Sequence, residues 1–422
     1  MPLKGLINAD TICANQLFPR KSASSFHHYQ CPRHVAYPEQ RKIVKKLAMI
    51  DSGILYINPD PAHYHVFASH AHPLQLSAHE YLATYQRGDG MYAANQNIAL
   101  TRSLDGGLTW HPEGFLYDRA GDDRPYSYHD GFLSRLSDGT LIVLVFRVDR
   151  SVADRQMFSP SGGLIDNELI FFTSDDGGHS WKGSEPIPLP ADVVATPAST
   201  IIELVGGRWL ATFDRWHAYH DDRPYQPVML AMRSADRGRT WSKLQTMADG
   251  AAIGKGFWHG KSTRLQDDRI FTLYWAADMT QPDKGPVDLP IHYAIADPGA
   301  AHWPMPQPTN LPGQTNWPAQ LPDGTLAAIY TLREADQPGF FVALSNDLGQ
   351  SWDLENQVRV WDATGWTHLG ISSPDKYPRS HDTIAFGAPT LMTTREGDLY
   401  ASWWCTYASL THIRWARLQV TG

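Results

Sequence analysis

The chain has 422 residues, 42% of them hydrophobic and 19% charged, which is enough apolar material for a sizeable core and excludes a disordered polypeptide. With 36 basic against 44 acidic residues and a formal net charge of −8, it lacks the basic footprint that nucleic-acid binding requires. Three cysteines, Cys13, Cys31 and Cys405, lie far apart without a C-x-x-C pair, which points to reduced thiols and away from a disulfide framework.

Residues 1–50 fit none of the patterns that follow and read as an extension. Their opening segment, MPLKGLINADTICANQLFPRK, has no continuous apolar stretch of the kind a secretory signal carries. The longest strongly apolar run, LIVLVF from Leu141, is too short to span a bilayer. A soluble, cytoplasmic protein with no membrane partner is therefore expected.

From residue 51 onward the chain repeats itself. Two apolar runs joined by a polar turn, usually Asp-Gly or Gly-Gly, form the sequence signature of a β-hairpin. The copies are HPLQLSAHEYLATY from His72, HDGFLSRLSDGTLIVLVFR from His129, TPASTIIELVGGRWLATFDR from Thr196, HGKSTRLQDDRIFTLYW from His259, NWPAQLPDGTLAAIYTLR from Asn316 and FGAPTLMTTREGDLYASWW from Phe386. After several hairpins comes a third strand-like run and then the skeleton S-x-D-x-G-x-x-W: SLDGGLTW from Ser103, SDDGGHSW from Ser174, SADRGRTW from Ser234 and SNDLGQSW from Ser345. A weaker copy, ADPGAAHW, starts at Ala296. The side chains suit a turn, because Ser and Asp accept from nearby backbone N–H groups, Gly tolerates positive φ and Trp covers the layer beneath. Asp105, Asp176, Asp236 and Asp347 are accordingly assigned to structure and not to catalysis.

Six hairpins, each with one or two further strands, predict an all-β, six-bladed β-propeller of four-stranded antiparallel blades over residues 51–422, with residues 1–50 packed on it. The final run LTHIRWARLQV lacks a box, and the early strand GILYINP from Gly53 is expected to complete the last blade and close the ring.

In such a ring the inner strands deliver distant side chains to one axial hollow, and that geometry selects the candidates. Inner-strand starts carry His70 and His72, His129 and Asp130, Thr196 and Ser199, His259 and Lys261, Asn316 and Trp317, and His381 with Asp382. Second-strand ends add Arg147, Arg215 with Trp216 and His217, Tyr274, and Arg333. His is suited to proton transfer near neutral pH, with Tyr, Lys and carboxylates as its companions. The segment HYHVFASHAHP, His63 to Pro73, carries H-x-H spacings (His63/His65 and His70/His72) that on a strand place both rings on one face, but two rings without a third ligand make no metal site, and neither metal nor cofactor is expected.

The boxes resemble the Asp-box, or BNR repeat, of the sialidase (neuraminidase) superfamily of six-bladed propellers. The resemblance implies three arginines that hold a sugar carboxylate, a Tyr nucleophile paired with a Glu, and an Asp acid/base. His72-Pro73 stands where the first arginine belongs; Arg215 and Arg333 are similar to the second and third. The Glu position falls near Ser199 and the Tyr position near Phe386. These departures imply a sialidase-like enzyme that acts on another acidic or unusual glycan. The first expectation is a glycoside hydrolase with Asp130 and His129 as acid/base. The second is a lyase that eliminates across a uronic-acid glycoside, with His259 or Tyr274 as base or acid and Arg215 or Arg147 as cation. The third is a non-catalytic carbohydrate- or protein-binding propeller. His72, Arg147, Arg215, Lys261, Asn316, Trp317, Arg333 and His381 are the expected substrate contacts.

Overall fold

Strictly alternating strands bury one face, whereas runs such as Leu141–Phe146 bury both. Leu141, Val143 and Val145 enter one apolar cluster while Ile142, Leu144 and Phe146 enter another, so the sheet that holds them must be covered on each side. Radial stacking of blades supplies that cover. The computed structural model describes residues 45–152, 155–223, 225–281, 285–333, 337–364, 385–407 and 410–422; the expected contact His381, with Asp382, Cys13, Cys31 and the extension 1–44, lies outside them.

Six antiparallel sheets are formed among the described residues. Strand β1 (Lys46–Tyr56) precedes the first complete blade, β2 (Phe67–Gln75), β3 (Tyr81–Gly88), β4 (Asn97–Ser103) and β5 (His111–Phe115). The second blade is β6 (Tyr126–Arg135), β7 (Leu141–Asp149), β8 (Asn167–Ser174) and β9 (Lys182–Ile187). In the third, the inner strand is broken into β10 (Val194–Pro197) and β11 (Ile202–Glu203), followed by β12 (Trp209–Trp216), β13 (Val228–Ser234) and β14 (Gln245–Asp249). The fourth is β15 (Lys255–Arg264), β16 (Ile270–Asp278), β17 (Val287–Ala296) and β18 (Gln307–Pro308). The fifth is β19 (Asn316–Gln320), β20 (Leu326–Leu332), β21 (Gly339–Ser345) and β22 (Val358–Asp362).

The sixth blade joins the two ends of the described chain. Its strands β23 (Phe386–Thr393), β24 (Leu399–Tyr407) and β25 (Leu410–Thr421) are completed on the outside by β1, which pairs with β25 from Lys46 opposite Thr421 to Tyr56 opposite Ile413. Strand β2 contacts β6 on one side and β23 on the other, so the ring is closed. The strand GILYINP was expected in this place; the pairing starts upstream of it, at Lys46.

The hairpin turns are one residue longer than the tightest form. In the second blade the Gly139 N–H donates to the Leu136 carbonyl at 3.0 Å and the Leu136 N–H to Thr140 at 2.9 Å, with Gly139 at φ 93°. Leu321–Thr325 and Thr394–Asp398 repeat this pattern. It is a three-residue loop whose left-handed position calls for glycine.

Each four-letter box closes by one hydrogen-bond scheme. Ser103 Oγ donates to Asp105 Oδ1 at 2.7 Å and accepts from the Gly107 N–H at 2.8 Å, and Asp105 Oδ1 accepts from the Thr109 N–H at 2.9 Å. The Trp110 indole N–H then donates to the Gly107 carbonyl at 3.1 Å. Ser174, Ser234 and Ser345 open turns in which the Ser Oγ likewise donates to Asp Oδ1 and accepts from the Gly N–H. In the weaker copy, Asp297 Oδ1 accepts from Ala301 and His302, and Ala300 takes the left-handed position at φ 48°. No helix of the described residues is long and apolar enough to cross a membrane.

Candidate active site

The inner strands are not regular. Register breaks occur between Ser69 and His72, Asp130 and Phe132, Trp258 and Lys261, and Gly387 and Thr390. At each break a non-glycine residue takes a left-handed backbone: His70 (φ 52°), Asp130 (φ 68°), His259 (φ 52°) and Ala388 (φ 45°). Such residues cost about 1–3 kcal/mol each and persist only where their surroundings hold them. Bulges also re-aim side chains. Two of the four are held by a side chain of the preceding blade: Gln86 Oε1 accepts from the Asp130 N–H at 3.1 Å, and Asp214 Oδ1 from the His259 N–H at 2.7 Å.

Asp214 is buried, and its second oxygen lies 3.2 Å from His259 Nδ1, an ion-pair contact rather than an aligned hydrogen bond. The His259 side chain keeps 29% of its surface in solvent and stacks on Trp275 with ring centroids 5.7 Å apart. Trp275 is fixed in turn by its indole N–H, which donates to Asp288 at 2.6 Å. A carboxylate at Nδ1 directs Nε2 outward as the proton-accepting atom.

Beside this pair stand Lys261 and Asp130, whose charges act on one another. Lys261 Nζ lies 4.5 Å from the Phe132 ring centre and 5.4 Å from that of Trp317, and it donates to the Ala198 carbonyl. Burial lowers the Lys261 ammonium to about 8 against the opposing pull of Asp214 and Asp130. Burial likewise pushes the Asp130 carboxyl up to about 7, with Lys261 opposing and Asp214 reinforcing the rise. Burial and the Lys261 charge hold His70 down at about 3 and His72 well below the ordinary imidazole range, so both rings are neutral at physiological pH. The result is a partly exposed carboxyl that still carries protons near neutrality, next to a cation and a carboxylate-oriented imidazole.

Of the expected residues, His72, Asp130, His259, Lys261 and Trp317 are thus brought together. His72 packs against Phe132 at 4.5 Å and Trp317 at 5.4 Å in tilted ring contacts, forming a ring layer under Lys261. His72 and Trp317 also line an axial cavity of about 330 Å³ bounded by the far halves of the inner strands. Arg333 is buried with its guanidinium 6.0 Å from the Trp275 ring and 5.9 Å from Phe386. Asn316 is fully buried and donates to the Gln314 carbonyl at 3.3 Å.

Four expected residues are placed elsewhere. His129 is buried on the other face of β6, bonded to Ser127 at 2.8 Å and stacked on Phe146, because alternation along the strand separates it from Asp130. Tyr274 is fully buried in the apolar cluster with Phe257, beneath Gly260. Arg147 pairs with Glu168 at 2.7 Å and lies over Tyr126. Arg215 is exposed, and the residue that contacts His259 is its neighbour Asp214, which is buried. The H-x-H expectation also changes, since the bulge interrupts alternation between His70 and His72; among the described residues no group of three or more His, Cys, Asp or Glu could hold a metal ion.

Asp214, Gln86 and Trp275 were not expected. A readable signal existed for two of them: LATYQR (Leu82–Arg87) and LATFDR (Leu210–Arg215) are near-duplicates that align Gln86 with Asp214.

No known family model matches the sequence, and no curated protein does. Solved structures do resemble the fold. A protein of unknown function from Dyadobacter fermentans is 15% identical with a TM-score of 0.67 over 89% of this chain and 100% of that one. The α-L-arabinanase of Penicillium chrysogenum, solved with arabinobiose, is 13% identical with a TM-score of 0.60 over 88% and 98%. The NanB sialidase of Streptococcus pneumoniae is 12% identical with a TM-score of 0.56 over 87% and 70%. At these identities the likeness is one of fold.

Proposed function

We propose that the protein is a carbohydrate-active enzyme that hydrolyses a glycosidic bond of an acidic sugar at the cluster formed by Asp130, His259 and Lys261. The observation that carries this reading is the placement of the Asp130 carboxyl on a left-handed bulge beside Lys261, where burial raises it to about 7. A carboxyl of that kind can give its proton to the leaving oxygen as the bond to the anomeric carbon breaks. His259 takes the proton of the attacking water on Nε2 while Asp214 steadies the imidazolium, and the water oxygen bonds to the anomeric carbon. Lys261 pairs with the sugar carboxylate. The fold likeness to proteins named as an arabinanase and a sialidase supports a glycan substrate in general.

The test is a panel of acidic and neutral oligosaccharides read by reducing-end release, with Asp130→Asn and His259→Gln as controls. Turnover by the parent that both variants lose supports the reading; a panel left uncleaved, or full activity in Asp130→Asn, refutes it. The Lys261 cation beside the His259–Asp214 pair also favours a second reaction, elimination across a uronate, in which the base removes the proton α to the carboxylate. Near-ultraviolet absorbance from an unsaturated product separates the two.

A further inference from the structure

We propose that Gln86 and Asp214 are a repeated pair of positioning residues, each reaching from one blade to lock the left-handed backbone that presents a reacting side chain of the next. This rests on the roles given above to Asp130 and His259.

Three independent observations converge on the pair. In sequence, the second strands of the first and third blades spell LATYQR and LATFDR, with Gln86 and Asp214 at the same place. In the sheets the two occupy matching positions: Gln86 pairs inward with Ser69 and outward with Ile98, and Asp214 inward with Thr196 and outward with Met229. In space, each is buried and offers one oxygen to the backbone N–H of the next blade's left-handed residue. The Gln86 amide has its orientation set by its other end, where Nε2 donates to the Met91 carbonyl at 2.8 Å.

The two differ in charge in a way that suits what they hold. Asp214 places a carboxylate beside an imidazole, and the contact at Nδ1 uses the oxygen left over from the backbone bond. Gln86 stands behind a carboxyl, where a second carboxylate would repel the ionised form. A neutral amide supplies the same acceptor without that repulsion. Backbone locking of this kind matters because reacting groups displaced by about 1 Å lose on the order of 100-fold in rate.

The experiment uses the full chain with Gln86→Met, Gln86→Glu and Asp214→Asn. Three quantities are read: kcat and KM on whichever glycan is cleaved, hydrogen exchange at the Asp130 and His259 amides, and the titration of Asp130 followed by carboxyl NMR. Gln86→Met is expected to lower kcat about 10–100-fold with KM changed less than about 3-fold, and to speed exchange at Asp130 while amides in the fifth blade stay protected. Gln86→Glu keeps the acceptor and nearly the same volume; it should restore protection at Asp130 and move the Asp130 titration to higher pH. Asp214→Asn should keep the His259 amide protected and still lose kcat. Unchanged exchange at Asp130 in Gln86→Met, or unchanged kcat despite faster exchange, overturns the proposal. If the parent cleaves no glycan, the hydrolytic reading fails by itself, and the exchange and titration measurements still decide whether the locks exist.

Discussion

At Asp130 the two neighbouring charges pull in opposite directions, Lys261 lowering and Asp214 raising its affinity for protons, and burial decides the outcome in favour of the neutral acid. The consequences can be signed. In the proposed role of proton donor, Asp130 is competent below about 7, so the rate should fall as pH rises through that value, and Asp130→Asn should lose about 100-fold or more in kcat. Stability follows the same titration. The folded carboxyl holds its proton to about 7 where the unfolded one releases it near 3.8; the native state therefore binds more protons between those values, and stability drops as pH rises across that window. Asp130→Asn removes this slope. Thermal unfolding from pH 4 to pH 9 should show a flatter profile for the variant and a higher midpoint than the parent at pH 8; parallel profiles would refute the raised value. Residue-level reading of the sequence picks out Asp130, His259, Lys261 and His72 because they open inner strands, a position the hairpin pattern reveals. It names Arg215, whereas the residue that contacts His259 is Asp214, because one residue of phase in a strand exchanges the two faces, and only the packed blades fix that phase.

Elements in this fold divide into those whose geometry is written locally and those that are not. A box turn is closed by its own eight residues, which is why its letters repeat and why its aspartates could be set aside as structural. The Thr240 hydroxyl and N–H hold Asp236 down to about 2, and at Asp347 the Ser351 hydroxyl and N–H outweigh a burial effect of opposite sign. Replacing Asp347 by Ala removes acceptors for the Ser345 and Ser351 hydroxyls and the Ser351 N–H. We expect a loss of about 1–3 kcal/mol, with blade geometry and activity retained. Since the Asp347 carboxyl is depressed in the folded state, the stability it supplies is present above the unfolded value and lost as pH falls; the gap between variant and parent should narrow in acid, and chemical denaturation at pH 7 and pH 3 checks it. Bulges, by contrast, were not legible. His70 and His72 look like an ordinary alternating pair, and nothing in the letters SHAH announces that the register slips there; at Asp130 and His259 the left-handed backbone is held by a side chain of the preceding blade rather than by local preference. The hairpin turns show the intermediate case: Asp-Gly marks the turn, while its length is set by the strands it joins.

Closure of the ring ties these pieces into one molecule, and its seam can be followed atom by atom. Gly53 of β1 lies flat on the Trp415 indole, where an added Cβ would meet three ring atoms at 2.9 Å. Trp415 stacks on Tyr400 at 5.4 Å and 15°, and the Tyr400 hydroxyl donates to the Gly107 carbonyl of the first box at 2.8 Å. The outermost strand of the sixth blade is therefore coupled through two buried rings to the turn of the first. Glycine at 53 is required by space alone, since its φ is not in the left-handed range. Gly53→Val must displace Trp415, which is buried and cannot move without disturbing Tyr400; overpacking of this sort costs about 1–3 kcal/mol. Gly90→Ala is the matched control, because its Cβ would meet only Ala93 at 3.9 Å. If closure holds the hollow together, Gly53→Val should lower the unfolding midpoint, speed amide exchange in both the sixth and first blades, and reduce turnover although residue 53 belongs to the outermost strand and Asp130 to an inner one. Destabilisation confined to β1, with exchange in the first blade and turnover both at parental levels, would show that the seam is local and that the inner strands hold their arrangement without it.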